Sequence, residues 1–173
     1  MGHRVEAMHP AVNWPRVWAN LSSSALPVDV QEAWYVAVHD LVATNYRLFQ
    51  LQDRKRRHPT GLCARCTAPD TLLHRLAECC AAPLWRWLRG PLRRLTGEPP
   101  RPSWLLWPDF SAPSEARQAA AVWLLGQSVA YLLGATAPTL GSALSVLRAE
   151  KDRVLARPGR WPTALVDGLN LPL

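Results

Sequence analysis

The sequence predicts an all-α protein: a small helical domain with a cysteine–histidine knuckle between its helices, followed by a helical hairpin. Three observations predict it. Apolar residues recur at helical spacing in several windows, and no stretch of useful length alternates as a strand does. Hydrophobic residues make up 49% of the 173, and nine residues are tryptophan, enough for a real core in one domain or one domain with an appendage. All the cysteines lie in the short window from Cys63 to Cys80, with His74 between them.

Residues 1–28 read as an irregular segment broken by Pro10, Pro15 and Pro27. A short helix fits Arg16 to Leu21, with Trp14, Val17, Trp18 and Leu21 at helical spacing. The domain proper spans 29–96. Asp29 is placed to cap a helix to about Val42, on which Val30, Ala33, Trp34, Ala37, Val38 and Leu41 share one face. Thr44 caps a second helix carrying Tyr46, Leu48, Phe49 and Leu51, which dissolves into the charged loop from Asp53 to Gly61. Asp70 or Thr71 caps a short helix bearing His74, stopped before Pro83. The next helix is amphipathic. Trp85, Leu88, Leu92 and Leu95 form one side, Arg86, Arg89 and Arg93 the other, with a break at Gly90-Pro91.

Residues 97–112 read as a linker, 113–158 as a pair of helices and 159–173 as a loosely packed tail. Ser114 caps the first helix of the pair. Its stretch from Ala119 to Ala137 is uncharged and long enough to raise a membrane span. Gln127 and Ser128 interrupt it and no basic flank adjoins it, so a buried central helix is expected instead.

Cys63, Cys66, His74 and Cys79 stand in the order C-x2-C-x7-H-x4-C. Three thiolates and an imidazole at this spacing can converge on one zinc ion, leaving no open position, which makes the site structural. Positions i and i+5 do not share an α-helical face, so the helix must loosen near Glu78 for His74 and Cys79 to meet. Cys80 rivals Cys79 as the fourth ligand. The competing reading is a set of ordinary buried thiols. His3, His9, His39 and His58 read as ordinary side chains.

The net charge is +7, yet it is unevenly placed. Between Arg47 and Arg101 stand twelve basic and four acidic residues, so the whole excess surrounds the cysteine window. Arg54, Lys55, Arg56 and Arg57 form one basic run and Arg86, Arg89 and Arg93 another. Arginine forks grip phosphate, which points to RNA or DNA as partner. Trp87 leaves its helix away from the Trp85 side and is placed to stack on a base. The alternative is a solvated basic surface on a structural, protein-interaction module. No phosphate loop, nucleophile elbow or metalloprotease motif is present, and nothing indicates a small-molecule substrate or an enzyme.

The segment from about Trp14 to Leu95 resembles the zinc-binding domain that follows the polymerase in non-LTR (LINE-type) retrotransposon reverse transcriptases. The residues carrying the resemblance are Trp14, Trp18, Leu26-Pro27, Trp34, Leu41, Thr44-Asn45-Tyr46-Arg47-Leu48, Cys63, Cys66, Asp70-Thr71, His74, Cys79, Trp85 and Leu88. It implies zinc on Cys63, Cys66, His74 and Cys79, and contact with template RNA or target DNA, alone or with the rest of a reverse transcriptase. The polymerase aspartates are absent. Pro108-Asp109 begins a nuclease-like motif, but Val122 and Trp123 stand where its partner belongs. The resemblance therefore implies a non-catalytic C-terminal fragment, functional or relic. No export leader is seen, so an intracellular, nuclear location is expected.

Overall fold

The structure is a computed structural model and describes residues 6, 9–39, 41–51, 60–79, 82–135 and 138–171. Its helices are α1 (Trp14–Leu21), α2 (Val28–Val38), α3 (Asn45–Leu51), α4 (Pro83–Thr96), α5 (Glu115–Gly134), α6 (Leu140–Ala156) and α7 (Thr163–Leu169). A π-helical turn (His74–Glu78) precedes α4, and 3₁₀ turns cover Pro102–Leu105 and Pro158–Arg160. No strand is formed among the described residues, as the lack of alternating patterns led us to expect.

The long uncharged helix organises everything else. From Ala119 to Val129 every residue of α5 is buried, including Gln127 and Ser128. Such a helix is apolar all round because α2, α4, α6 and α7 pack on it from different sides. Ser128 costs little there, since its hydroxyl donates back to the Leu124 carbonyl at 2.7 Å. No described helix is long and apolar enough to cross a membrane. Gly126 lies where α2 crosses: a Cβ would sit 2.6 Å from Leu26 and 3.0 Å from Val30.

Several boundaries move. Helix α1 starts at Trp14, earlier than Arg16, because Asn13 accepts from the Arg16 N–H and Pro15 fits the first turn. Asp29 is not a cap. Pro27 precedes α2, and Asp29 lies inside its first turn, a favourable place for a carboxylate. Helix α2 ends at Val38, so Leu41 falls out of register and is exposed. Thr44 does cap α3, accepting from the Arg47 N–H at 3.1 Å. Ser114 caps α5.

Gly90-Pro91 does not break α4. Pro91 cannot donate to the helix and such a site costs about 3 kcal/mol in an exposed helix. Here Pro91 is itself buried, in line with Trp85, Leu88, Leu92 and Leu95, and Gly90 has no Cβ to meet the proline ring. Burial of that face holds the helix together.

Within residues 97–112, the stretch from Trp104 to Phe110 is a strap packed into the core, while 97–102 lie mostly at the surface. Trp104, Leu105, Leu106 and Phe110 belong to the same core as α1, α5 and α7. Buried Asn20 donates to the carbonyls of Pro108 (2.6 Å) and Phe110 (3.2 Å). Gln118 donates to Asn20 (2.6 Å) and accepts from the Ala112 N–H (2.7 Å), and the Trp34 indole donates to Leu105 (2.9 Å). The amides of Asn20 and Gln118 and the Trp34 indole are thus paired, while the buried indole nitrogens of Trp104 and Trp107 have no partner among the described residues. Asp109 is held by Arg101 at 2.9 Å, while Val122 and Trp123 are sealed inside α5.

The tail is not loose. Pro162 starts α7, whose Leu165 and Leu169 are fully buried against α5. Gly168 makes this possible by letting the backbones touch.

Candidate metal centre and arginine helix

The knuckle is built by a tight turn. The Cys63 N–H donates to the Ala68 carbonyl (2.8 Å), the Thr67 N–H to the Cys63 carbonyl (3.0 Å) and the Asp70 N–H to the Gly61 carbonyl (3.0 Å). Thr67 takes a left-handed φ of 60°, the only described non-glycine to do so. Gly61, at φ 64°, passes so close to Phe49 that a Cβ would lie 3.0 Å from that side chain.

His74 and Cys79 meet through a change of helix type. In an α-helix residue i+5 points about 140° away from residue i. The turn from His74 is π-helical instead, and the Cys79 N–H donates to the His74 carbonyl at 2.7 Å. An i+5 bond brings both side chains to one face. Thr71, not Asp70, caps this turn, accepting from the His74 N–H at 3.1 Å.

The four ligand atoms of Cys63, Cys66, His74 and Cys79 all lie within 4.8 Å of one another. The thiol sulfur of Cys79 is 3.9 Å from that of Cys63 and 4.0 Å from that of Cys66, and Cys66 Sγ is 3.1 Å from His74 Nε2. A tetrahedral ion with metal–sulfur bonds of about 2.3 Å sets its sulfurs about 3.8 Å apart. The sulfur edges fit, and the donor set of three thiols and one imidazole suits such an ion. Cys79 is the cysteine brought to the cluster; Cys80 lies outside the described residues. The Cys63 thiol is lowered to about 6, chiefly by the Arg65 backbone N–H, with His74 and Cys66 assisting against desolvation. At Cys66 the Ala68 N–H acts downward but is outweighed by desolvation and the neighbouring thiols, so its pKa is raised. A bound cation would favour the thiolate at both.

Asp70 anchors the knuckle. Its carboxylate takes Arg75 in two bonds, the Nε–Oδ1 one at 2.9 Å, and accepts from the Asn45 N–H at 3.1 Å. Asn45 in turn donates to the Leu62 carbonyl and accepts from Arg75, both at 3.3 Å. Burial pushes the Asp70 carboxyl up, yet Arg75 and the Asn45 N–H together hold it below its usual value. A depressed folded pKa means the contribution is present above the ordinary carboxylate range and is lost as pH falls through the folded value. Asp70→Asn should therefore cost about 1–3 kcal/mol near neutrality, the Arg75 end being 39% exposed and screened. The gap from wild type, followed by denaturant melts, should close in acid; a gap independent of pH would contradict the pair's role.

The knuckle runs straight into α4. The Ala82 N–H donates to the Cys79 carbonyl at 2.9 Å, and Pro83 opens the helix. Arg86, Arg89 and Arg93 all lie on its exposed face, with Arg94 beside them. Arg117 at the start of α5 reaches the Arg94 carbonyl at 3.4 Å and extends the basic face; its distance in sequence hides it from any local reading. Arg54, Lys55, Arg56, Arg57 and His58 lie outside the described residues, as does His3. His39 packs between Trp18 and Tyr35, and His9 lies over Trp107, both as ordinary aromatic neighbours.

No family model, curated protein or solved structure matches this chain.

Proposed function

We propose that the chain is a non-catalytic zinc-binding module that presents an arginine face to the phosphates of RNA or DNA, descended from the zinc-binding region of a retrotransposon reverse transcriptase. The observation that carries it is the junction at Cys79. One metal ligand lies three residues before Ala82, and from there α4 runs through four arginines without a carboxylate. Zinc is the ion this donor set favours in a closed four-ligand site, and it would fix where α4 begins. The family assignment rests on the residue pattern from Trp14 to Leu88 alone. A nuclear location follows from the proposed partner.

Salt dependence of binding tests the reading. If Arg86, Arg89 and Arg93 each neutralise one phosphate, log affinity should fall with log salt at a slope of about −2 to −3. Arg93→Glu should weaken RNA and DNA of every sequence alike. Flat salt dependence, or no binding, would leave a structural module. One feature favours that second reading: Val28 (69% exposed), Tyr35 and Val36 are exposed apolar side chains of α2. Concentration-dependent association without nucleic-acid affinity would select it.

A further inference from the structure

The outer face of α4 carries more than charge. Trp87 is 36% exposed, the only tryptophan of the described residues counted among the exposed large apolar side chains. Trp14, Trp34, Trp85, Trp104 and Trp123 are all buried, so the core has no lack of tryptophan and does not use this ring fully. One helical turn further on is Gly90. A Cβ there would have a single neighbour within 4 Å, the Arg94 guanidinium at 3.7 Å. Trp87, Gly90 and Arg94 follow one another at i, i+3 and i+7, along one stripe of the helix. The stripe has an indole at one end, bare backbone in the middle and a guanidinium folded back over that backbone.

Charge decides what can lie there. From Cys79 to Gly97 the sequence holds no carboxylate, and Arg89, Arg93 and Arg94 form no ion pair with any described residue. Glu78 and Glu98, the acids adjoining this face in sequence, lie before the start and beyond the end of α4. Such a face takes a polyanion. An exposed indole beside a bare backbone step and a planar guanidinium takes a flat, unstacked ring. In a duplex every base face is already covered by its neighbour, so Trp87 would gain nothing from it.

Resting on the nucleic-acid reading above, we propose that this notch stacks an unpaired base on Trp87, making single-stranded nucleic acid the ligand in preference to duplex. Arg86, Arg89 and Arg93 then hold the flanking phosphates, and Arg94 covers the second face of the base.

The full chain with its metal is titrated into fluorescently labelled mixed-sequence single strands, as RNA and as DNA, and into a duplex of equal length, at fixed salt. The single strands are expected to bind more tightly. Trp87→Ala should weaken single-strand binding about five- to 150-fold, the worth of one stacked base. Its salt slope, duplex affinity, metal content and helicity should not change, and Trp87→Phe should keep most of the affinity. Duplex bound as tightly as single strand, or Trp87→Ala without effect or equally harmful to both, overturns the single-strand proposal while leaving phosphate binding intact. Absence of binding to every probe overturns both.

Discussion

Stripping the metal with a chelator, or replacing His74 by alanine, is expected to melt residues 60–82 and fray the start of α4 while the remaining helices persist. Structural zinc contributes about 10–16 kcal/mol in isolated finger peptides, where nothing else holds the fold. Here the loss is local, because α5 and its neighbours share an apolar core that excludes the cysteines. The knuckle's separate apolar set is Cys63, Cys79 and Ala82 with Cys66 beside it, and Leu72 and Leu76 tie the segment to the main core. Three thiols within 4.0 Å of a neighbouring ligand atom repel once ionised, and the Cys63 thiol, lowered to about 6, ionises readily. Hydrogen exchange should show lost protection from Gly61 to Arg86, with α5 and α7 unchanged, and affinity for nucleic acid should drop at least about tenfold. Protein purified with near one equivalent of zinc, losing protection only there, is the expected result. Metal-free protein with unaltered exchange would end the case for a metal centre.

Gly168→Ala should destabilise the protein by about 3 kcal/mol, the upper part of the range for overpacking a filled core. The added Cβ would lie 2.1 Å from the Ala116 carbonyl oxygen and 2.9 Å from the Ala120 methyl. A backbone oxygen inside α5 cannot swing aside as a side chain does, so α7 must lift off α5 and expose Leu165 and Leu169. The contrast is Gly134→Ala at the far end of α5, where a Cβ meets nothing within 4 Å. That change should shift stability by less than about 1 kcal/mol, toward greater stability. Denaturant midpoints of the two variants separate packing from propensity; equal midpoints would mean that α7 does not seat on α5 as described.

The two glycines show why the fold was only partly legible. Gly126 lies in the uncharged run that reads as a buried central helix, and it sits at a crossing with α2. Gly168 gave no such signal, because its neighbour Ala116 is distant in sequence. The tail therefore read as loose, and the strap within 97–112 read as a linker for the same reason. Its prolines are visible locally, but the burial of Trp104 and Phe110 depends on Asn20 and Gln118 from elsewhere. Periodicity did locate α2 and α4, since each presents an apolar face wide enough to register in a short window, while the Ser114 cap and the uncharged run located α5. It failed at Pro91, where an unfavourable local residue is overruled by burial.

The amino-acid order alone determined the helical class, the central buried helix and the identity of Cys63, Cys66 and His74 as ligand-type residues, because these depend on composition and local spacing. The tertiary structure decided how His74 and Cys79 reach one another. Their five-residue separation is wrong for an α-helix, so the spacing requires the helix to loosen near Glu78, but only the structure shows that it does so as a π turn. It persists because Leu72 and Leu76 are buried in the core on one side of the turn and Asp70 grips Arg75 and Asn45 on the other.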